Sequence, residues 1–260
     1  MSKLIVITGG TSGIGLDTTN ILRAKGHRVV VLSLDAEETE YSMRCDVSSD
    51  ADVKRCFDLI NERFGVIDVL VNNAGFGLNG VLELIPMDKI IKQYEVNVFG
   101  VIRCIQNALP YMIKGSRIIN IGSAMVLLPM PYRSMYASSK SAVVTMSYSL
   151  RNELKYAGID VTVVNPGNIR TNFTKNKVVV PDTNVRYGDK PIKAQQKFDN
   201  PKAEARRLDP KIVARKLAKL CLVRKTKPMY IVDAKMKLAY FVSKFVPLSF
   251  VQWIEGKVCN

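Results

Sequence analysis

Short runs that are nearly continuous in Val, Ile and Leu recur along the chain and alternate with stretches of helical spacing. Lys3–Thr8, Arg28–Ser33, Val69–Val71, Arg117–Ile121 and Asp160–Val164 read as strands. They lack the polar alternation of a half-exposed strand, as expected where both faces are covered. Between them, Gly15–Lys25, Asp50–Phe64, Met87–Lys114 and Met135–Tyr156 read as amphipathic helices. This alternation predicts βαβ units with right-handed crossovers, hence an α/β fold with a doubly wound parallel sheet and helices on both faces. After Thr171 the rhythm breaks. Residues 172–208 are polar, have no sustained period and carry Pro181, Pro191 and Pro201. Asp209-Pro210 then supplies an N-cap and a first-turn proline for a helix, Met229–Val232 reads as a last strand, and Leu238–Ile254 is an apolar tail interrupted by Lys244 and Pro247. With no internal repeat or linker, one domain is expected: a core over 1–171, a lid loop over 172–208, and a C-terminal helix, strand and tail over 209–260.

Composition narrows the function classes. The 260 residues are 47% apolar and 23% charged, ordinary for a globular chain and too apolar for a disordered one. Five cysteines (Cys45, Cys56, Cys104, Cys221, Cys259) are odd in number and contain no CxxC pair, which argues against a disulfide scaffold or zinc site. The opening MSKLIVITGG reads as a strand and turn, not a signal peptide, and no stretch has the length of a spanning helix, so a cytoplasmic protein is expected. The net charge of +15 is lopsided: residues 1–169 hold 17 basic and 16 acidic side chains, residues 170–260 hold 21 and 7. Such a basic third attracts anionic partners of several kinds. No nucleic-acid motif accompanies it. Peripheral contact with an anionic membrane stays open, as does cover of a cleft or subunit interface by the apolar tail.

The first strand runs directly into Thr8-Gly9-Gly10-Thr11-Ser12-Gly13-Ile14-Gly15, which opens the first helix. A pyrophosphate needs backbone N–H groups at a helix N-terminus, and side chains at the turn would obstruct it, so glycines at 9, 13 and 15 have a physical reason. The TGxxxGxG spacing resembles that of the short-chain dehydrogenase/reductase family, and further motifs follow in the family's order. Asp46-Val47 stands after the third strand, Asn72-Asn73-Ala74-Gly75 after the fourth, Asn97 within NVFG, then Ser123, Tyr136-Ala-Ser-Ser-Lys140, and Pro166-Gly167 with Ile169 and Thr171. Together they span residues 8–171. The resemblance implies a Rossmann-like fold, a nicotinamide cofactor and assembly as a homodimer or homotetramer. It further implies that Gly9, Thr11, Ser12, Gly13, Ile14, Gly15, Asp46, Val47, Asn73, Ala74, Gly75, Pro166, Gly167, Ile169 and Thr171 line the cofactor. Lys140 would also meet the nicotinamide ribose, and Asn97 would order a water in a proton relay.

The remaining chemistry can be read from the residues. Tyrosine is a weak acid, with a pKa of about 10, and a nearby ammonium lowers that value. Tyr136 and Lys140 are four apart, so a helix places both on one face. Ser123 at a strand end can hold a substrate oxygen by a hydrogen bond. These residues suit interconversion of a secondary alcohol and a ketone or aldehyde. At the end of the second strand, Ser33 stands where an acid would select NAD(H), which favours NADP(H). NAD(H) stays open through Asp35, two residues further on. Met125, Val126, Leu127, Leu128 and Met130 follow the serine and suit an apolar, lipid-like substrate such as a hydroxysteroid or retinoid. The single histidine, His27, falls in a turn and is expected to be solvated. It leaves no Ser-His-Asp hydrolase, and no metal set is evident. Two rival readings remain: a nucleotide-sensing protein without turnover, and a lipid-binding protein of the membrane surface.

Overall fold

The computed structural model describes residues 2–170, 177–205 and 207–259. Its main sheet is entirely parallel, with strands β1 (Leu4–Thr8), β2 (Arg28–Ser33), β3 (Ser42–Arg44), β4 (Val69–Asn72), β6 (Arg117–Ile121), β7 (Asp160–Asn165) and β9 (Met229–Ile231). Their order across the sheet is β3-β2-β1-β4-β6-β7-β9. The chain winds outward from β1 in one direction and from β4 in the other, so the fold is Rossmann-like and doubly wound. A crevice opens at the carboxyl ends of β1 and β4, where the order reverses. A second, two-stranded parallel ribbon joins β5 (Leu78–Asn79) to β8 (Val178–Val179).

Burial on both faces explains the strand composition. Leu4 and Val6 enter one apolar layer with Phe57 and Ile60 of α2 (Asp50–Phe64), Val101 and Ile105 of α4 (Gly100–Ala108), and Val143 of α5 (Ser134–Glu153). Ile5 and Ile7 enter the other layer, with Leu22 of α1 (Gly13–Ala24) and Val213 and Leu217 of α8 (Pro210–Leu222). Successive residues on a strand point to opposite faces, so two dry layers require apolar side chains at every position.

The structure departs from the sequence pattern in three places. The long helical stretch 87–114 is divided: α3 covers Met87–Tyr94, a π-helical turn follows at Glu95–Phe99, and α4 is succeeded by a 3-10 turn at Leu109–Tyr111. Pro110 has no N–H to continue the helix. Residues 172–208 are not irregular throughout. They contain β8, α6 (Lys190–Asp199) and α7 (Pro201–Ala205). Pro191 and Pro201 stand in the first turns of these helices, where proline starts a helix rather than breaking it, and elements this short show little periodicity. The tail forms two helices, α9 (Ala234–Ser243) and α10 (Leu248–Cys259), parted at Pro247.

The end of the sheet away from the crevice is closed by a polar clamp. The Asp160 carboxylate accepts from Arg117 Nε at 3.2 Å, Arg151 at 2.5 Å, and Thr226 N and Oγ1 at 2.9 and 2.7 Å. The Arg117 side chain is only 3% exposed and also donates to the carbonyls of Leu220, Val223 and Arg224. His27 is not fully solvated as its turn suggests: it is half-buried, and Nδ1 accepts from Lys3 N at 3.2 Å.

Candidate active site

The glycine turn forms a cradle at the reversal point. Gly9 and Gly13 have φ of +64° and +53°, a region that side chains disfavour. A Cβ on Gly15 would lie 2.3 Å from Gly9 O, so only hydrogen fits there. Helix α1 begins without a side-chain cap on Ser12 and without an acid in its first turn, and its first main-chain bond runs from Leu16 N to Ser12 O at 3.1 Å. The N–H groups of residues 13–15 therefore precede the helix's own bonding and face the cradle. By contrast, α2 caps itself with Ser49 and carries Asp50 and Asp52 in its first turn. An anion is thus favoured at α1, and the turn suits a pyrophosphate.

Asn73 fastens the second half of the crevice to the first. Its Nδ2 donates to Thr8 O and Gly9 O, both at 3.0 Å, while Thr8 Oγ1 accepts from Asn73 N and Ala74 N at 3.0 Å. Gly75 is confined next to it: a Cβ there would meet Asn97 Oδ1 at 2.8 Å and Lys140 Nζ at 3.5 Å. Asn97 is fully buried in the π-helical turn, a rare element often found at functional positions. Its amide clamps the Phe76 backbone, accepting from N at 3.0 Å and donating to O at 2.9 Å.

Ser123, at the end of β6, caps a 3-10 turn by accepting from Met125 N at 3.2 Å, and its side chain is hydrogen-bonded to the Tyr136 hydroxyl. Burial pushes the Tyr136 phenol above its ordinary value, against the opposing Ser123 hydrogen bond and Arg133 charge. The i, i+4 spacing leads to the opposite expectation, a phenol lowered by Lys140; burial is the largest influence on it here. The Lys140 ammonium turns inward, donates to Ile121 O at 2.9 Å and is 4% exposed. Burial pulls its pKa down to about 8.

The other sequence candidates divide between the cradle and its rim. Thr11 Oγ1 lies 3.0 Å from Ser33 Oγ, and both hydroxyls donate to Asp35 Oδ1, at 2.7 and 2.6 Å. Those bonds hold the Asp35 carboxyl below the usual carboxylate range. Asp46 is occupied locally, with Oδ1 accepting from Ser48 N and Oγ at 2.8 and 2.6 Å. Val47 is buried against Gly100. Pro166 O accepts from Ala124 N at 2.8 Å, and Ile169 bridges to Leu208. Thr171 lies outside the described residues. Asp35, the acid through which NAD(H) stays open in the sequence, thus meets the turn at Thr11. The motif spacing does not point to Asp233, which crowds Gly167 so closely that a Cβ there would fall 2.5 Å from its side chain. Only the parallel pairing of β9 with β7 brings Asp233 to that position.

The segment after Ser123 belongs to neither main apolar layer. Met125, Val126, Leu127, Leu128 and Met130 are half-buried at the rim. A separate small apolar cluster consists of Leu78, Ile85 and Val180, with Met135 and Val178 packed against it. Gly80 N donates to Tyr132 O at 2.9 Å, and Tyr132 holds a φ of +63°, strained for a tyrosine. Asn79–Gln195 and Arg186–Glu83 contacts fasten this rim to residues 184–195. Among the described residues no group of three His, Cys, Asp or Glu could hold a metal ion.

A doubly wound sheet with a glycine cradle at its reversal point defines the dinucleotide-binding class of fold. The family model for short chain dehydrogenases matches residues 3–179. The chain is 37% identical over 180 residues to a 3-ketodihydrosphingosine reductase of Bacteroides thetaiotaomicron, covering 67% of each. It is 35% identical over 201 residues to a 2-(R)-hydroxypropyl-CoM dehydrogenase of Xanthobacter autotrophicus, covering 70% of this chain and 80% of that one. A 3-ketoacyl-(acyl-carrier-protein) reductase of Brucella melitensis, solved in complex with NADH, matches with a TM-score of 0.72 at 25% identity, over 89% of this chain and 96% of that one. The chain belongs to the short-chain dehydrogenase/reductase family, nicotinamide-dependent oxidoreductases that act on CH–OH groups.

Proposed function

We propose that the protein interconverts a secondary alcohol and a ketone on an apolar, lipid-like substrate, with Tyr136 as the proton-transfer group. The observation that carries the reading is the Tyr136–Ser123 hydrogen bond at the end of β6, beside the crevice that Gly75 and Lys140 line. A bound nicotinamide supplies or accepts the hydride. Ser123 holds the substrate oxygen against the phenol, and the raised pKa of Tyr136 keeps it protonated at neutral pH, the form that donates to a ketone oxygen. Lys140 places a buried positive charge beside Gly75, which favours negative charge building on that oxygen. Asn97 positions the Phe76 backbone that edges this space. Gly9, Gly13 and Gly15 with the N-terminus of α1 would hold the pyrophosphate.

For the cofactor the proposal favours NAD(H). Ser33 alone pointed toward NADP(H), but its hydroxyl is spent on Asp35, so a carboxylate rather than a vacant donor closes the end of β2. A bonded, ionised carboxylate there suits a ribose hydroxyl and repels a phosphate. The half-buried methionines and leucines after Ser123 support an apolar substrate. The Bacteroides relative's name, a ketosphingoid reductase, is of the same chemical class. Such a substrate resides in bilayers, and the proposal accordingly places the protein at a membrane surface. Assembly into a dimer or tetramer rests on membership in a family whose members commonly assemble.

Tyr136→Phe tests the reading. NADH oxidation by a panel of long-chain ketones should fall at least 1,000-fold in kcat, on the order expected for loss of a proton-transfer group, while NADH affinity changes less than about threefold. Retained turnover in this variant refutes the role.

A further inference from the structure

Resting on that membrane placement, we propose that α9 and α10 form the attachment surface and that its partner is an anionic phospholipid bilayer. On α9 and the residue that follows its cap, Leu238, Phe241, Val242 and Phe245 are spaced i, i+3, i+4 and i+7, which is one helix face. That face points outward: the four side chains are 64, 60, 48 and 73% exposed. In a helix packed on a globule the apolar stripe faces inward; α9 has a half-buried side of Met236, Ala239, Tyr240 and Ser243 and carries this second apolar stripe outward. On helix α10, Leu248, Phe250, Trp253 and Ile254 are likewise all exposed. Phe241 packs edge-on against Phe245, and Phe250 stacks on Trp253, so two aromatic pairs stand at the surface.

Charge selects the occupant. Residues 234–259 contain Lys235, Lys237, Lys244 and Lys257 against one acid, Glu255. Lys244 lies over the Tyr240 ring at 4.7 Å and Lys257 over the Trp253 ring at 4.1 Å, so the cations ride beside the apolar face. Aromatic and aliphatic side chains that enter the acyl boundary, with lysines level with the headgroups, are the chemistry of an interfacial helix. A second copy of the chain would bring four lysines against four across a symmetric contact, with one acid in each segment, Glu255, to offset them. Among the described residues no helix is long and apolar enough to cross a membrane, so the attachment is in the plane of the surface. The patch also connects to the candidate site. Asp233, which caps α9, is the residue that crowds Gly167.

Trp253 is the only tryptophan and reports on its own surroundings. Full-length protein is mixed with vesicles of phosphatidylglycerol or phosphatidylcholine, and Trp253 emission and co-sedimentation are followed at low and high salt. A blue shift with co-sedimentation on phosphatidylglycerol, weaker on phosphatidylcholine and reduced by salt, is expected. Replacing Lys235, Lys237 and Lys244 by Glu should lower vesicle affinity by roughly 100-fold or more, with turnover of a short, water-soluble ketone unchanged. No response of the unaltered protein to phosphatidylglycerol overturns the proposal. So does a blue shift that follows protein concentration without lipid, since Trp253 is then covered by a second copy. If vesicles bind but no ketone is reduced, the oxidoreductase reading fails and the surface stands.

Discussion

Asp35→Asn replaces the carboxylate at the end of β2 with a neutral group of the same shape, able to keep the Thr11 and Ser33 hydroxyls as partners. Two contributions change cofactor choice. A ribose phosphate carries close to two negative charges at neutral pH, and at ~5 Å with an effective dielectric of about 40 its repulsion from one carboxylate is ~3 kcal/mol. Asp35 is exposed, and salt screening brings this to about 1.5 kcal/mol. The lost charge-assisted hydrogen bond to the NAD ribose removes about 1.5 kcal/mol more. The combined ~3 kcal/mol corresponds to a change of roughly 100-fold in the ratio of kcat/KM for NADPH over NADH. Steady-state rates with each cofactor, for both proteins on one substrate, measure it. An unaltered protein that uses NADPH as well as NADH, or a ratio that moves less than about threefold, refutes the reasoning.

Two further outcomes concern stability. Lys140 ionises near pH 8 in the fold and near 10.5 when unfolded, so the unfolded chain binds its proton more readily and stability rises as pH climbs between these values. Lys140→Met removes that dependence, so denaturant titrations should show the variant gaining relative to the native protein at pH 7 and losing that gain, by up to about 3 kcal/mol, by pH 10.5. The exposed Ile121 carbonyl costs the variant equally at every pH, and a difference independent of pH contradicts the burial argument. Asp160→Asn leaves Arg117 buried without its countercharge and should cost about 3–5 kcal/mol in urea unfolding with kcat unchanged; a cost below about 1 kcal/mol would show the clamp to be dispensable.

Periodicity located the sheet because its strands are buried on both faces: Arg28–Ser33 and Arg117–Ile121 have the same limits in the chain pattern and in the fold. It missed α6 and α7, where prolines at helix starts look like breakers and where one or two turns hold too few apolar positions to show a period. It also overran Glu95–Phe99, since a π-turn keeps helical composition while shifting the register by one residue. The glycine cradle was legible because steric demands write themselves into residue type, as at Gly15. The direction of the Tyr136 pKa was not, because spacing along a helix places two side chains on one face without fixing where their ends point. Lys140 is drawn to the Ile121 carbonyl instead. Asp233 was invisible for another reason: its approach to Gly167 depends on strand pairing across the sheet.

Among the described residues, none from Val178 to Ala205 belongs to the two large apolar layers, while the strands that carry the cradle are interior to both. Selection can therefore act on the two regions at different speeds. Exchanges in the outer segment leave both layers intact, whereas a side chain at Gly15 would collide with the Gly9 carbonyl. A scaffold divided in this way can acquire new substrates by small steps and keep its redox chemistry throughout.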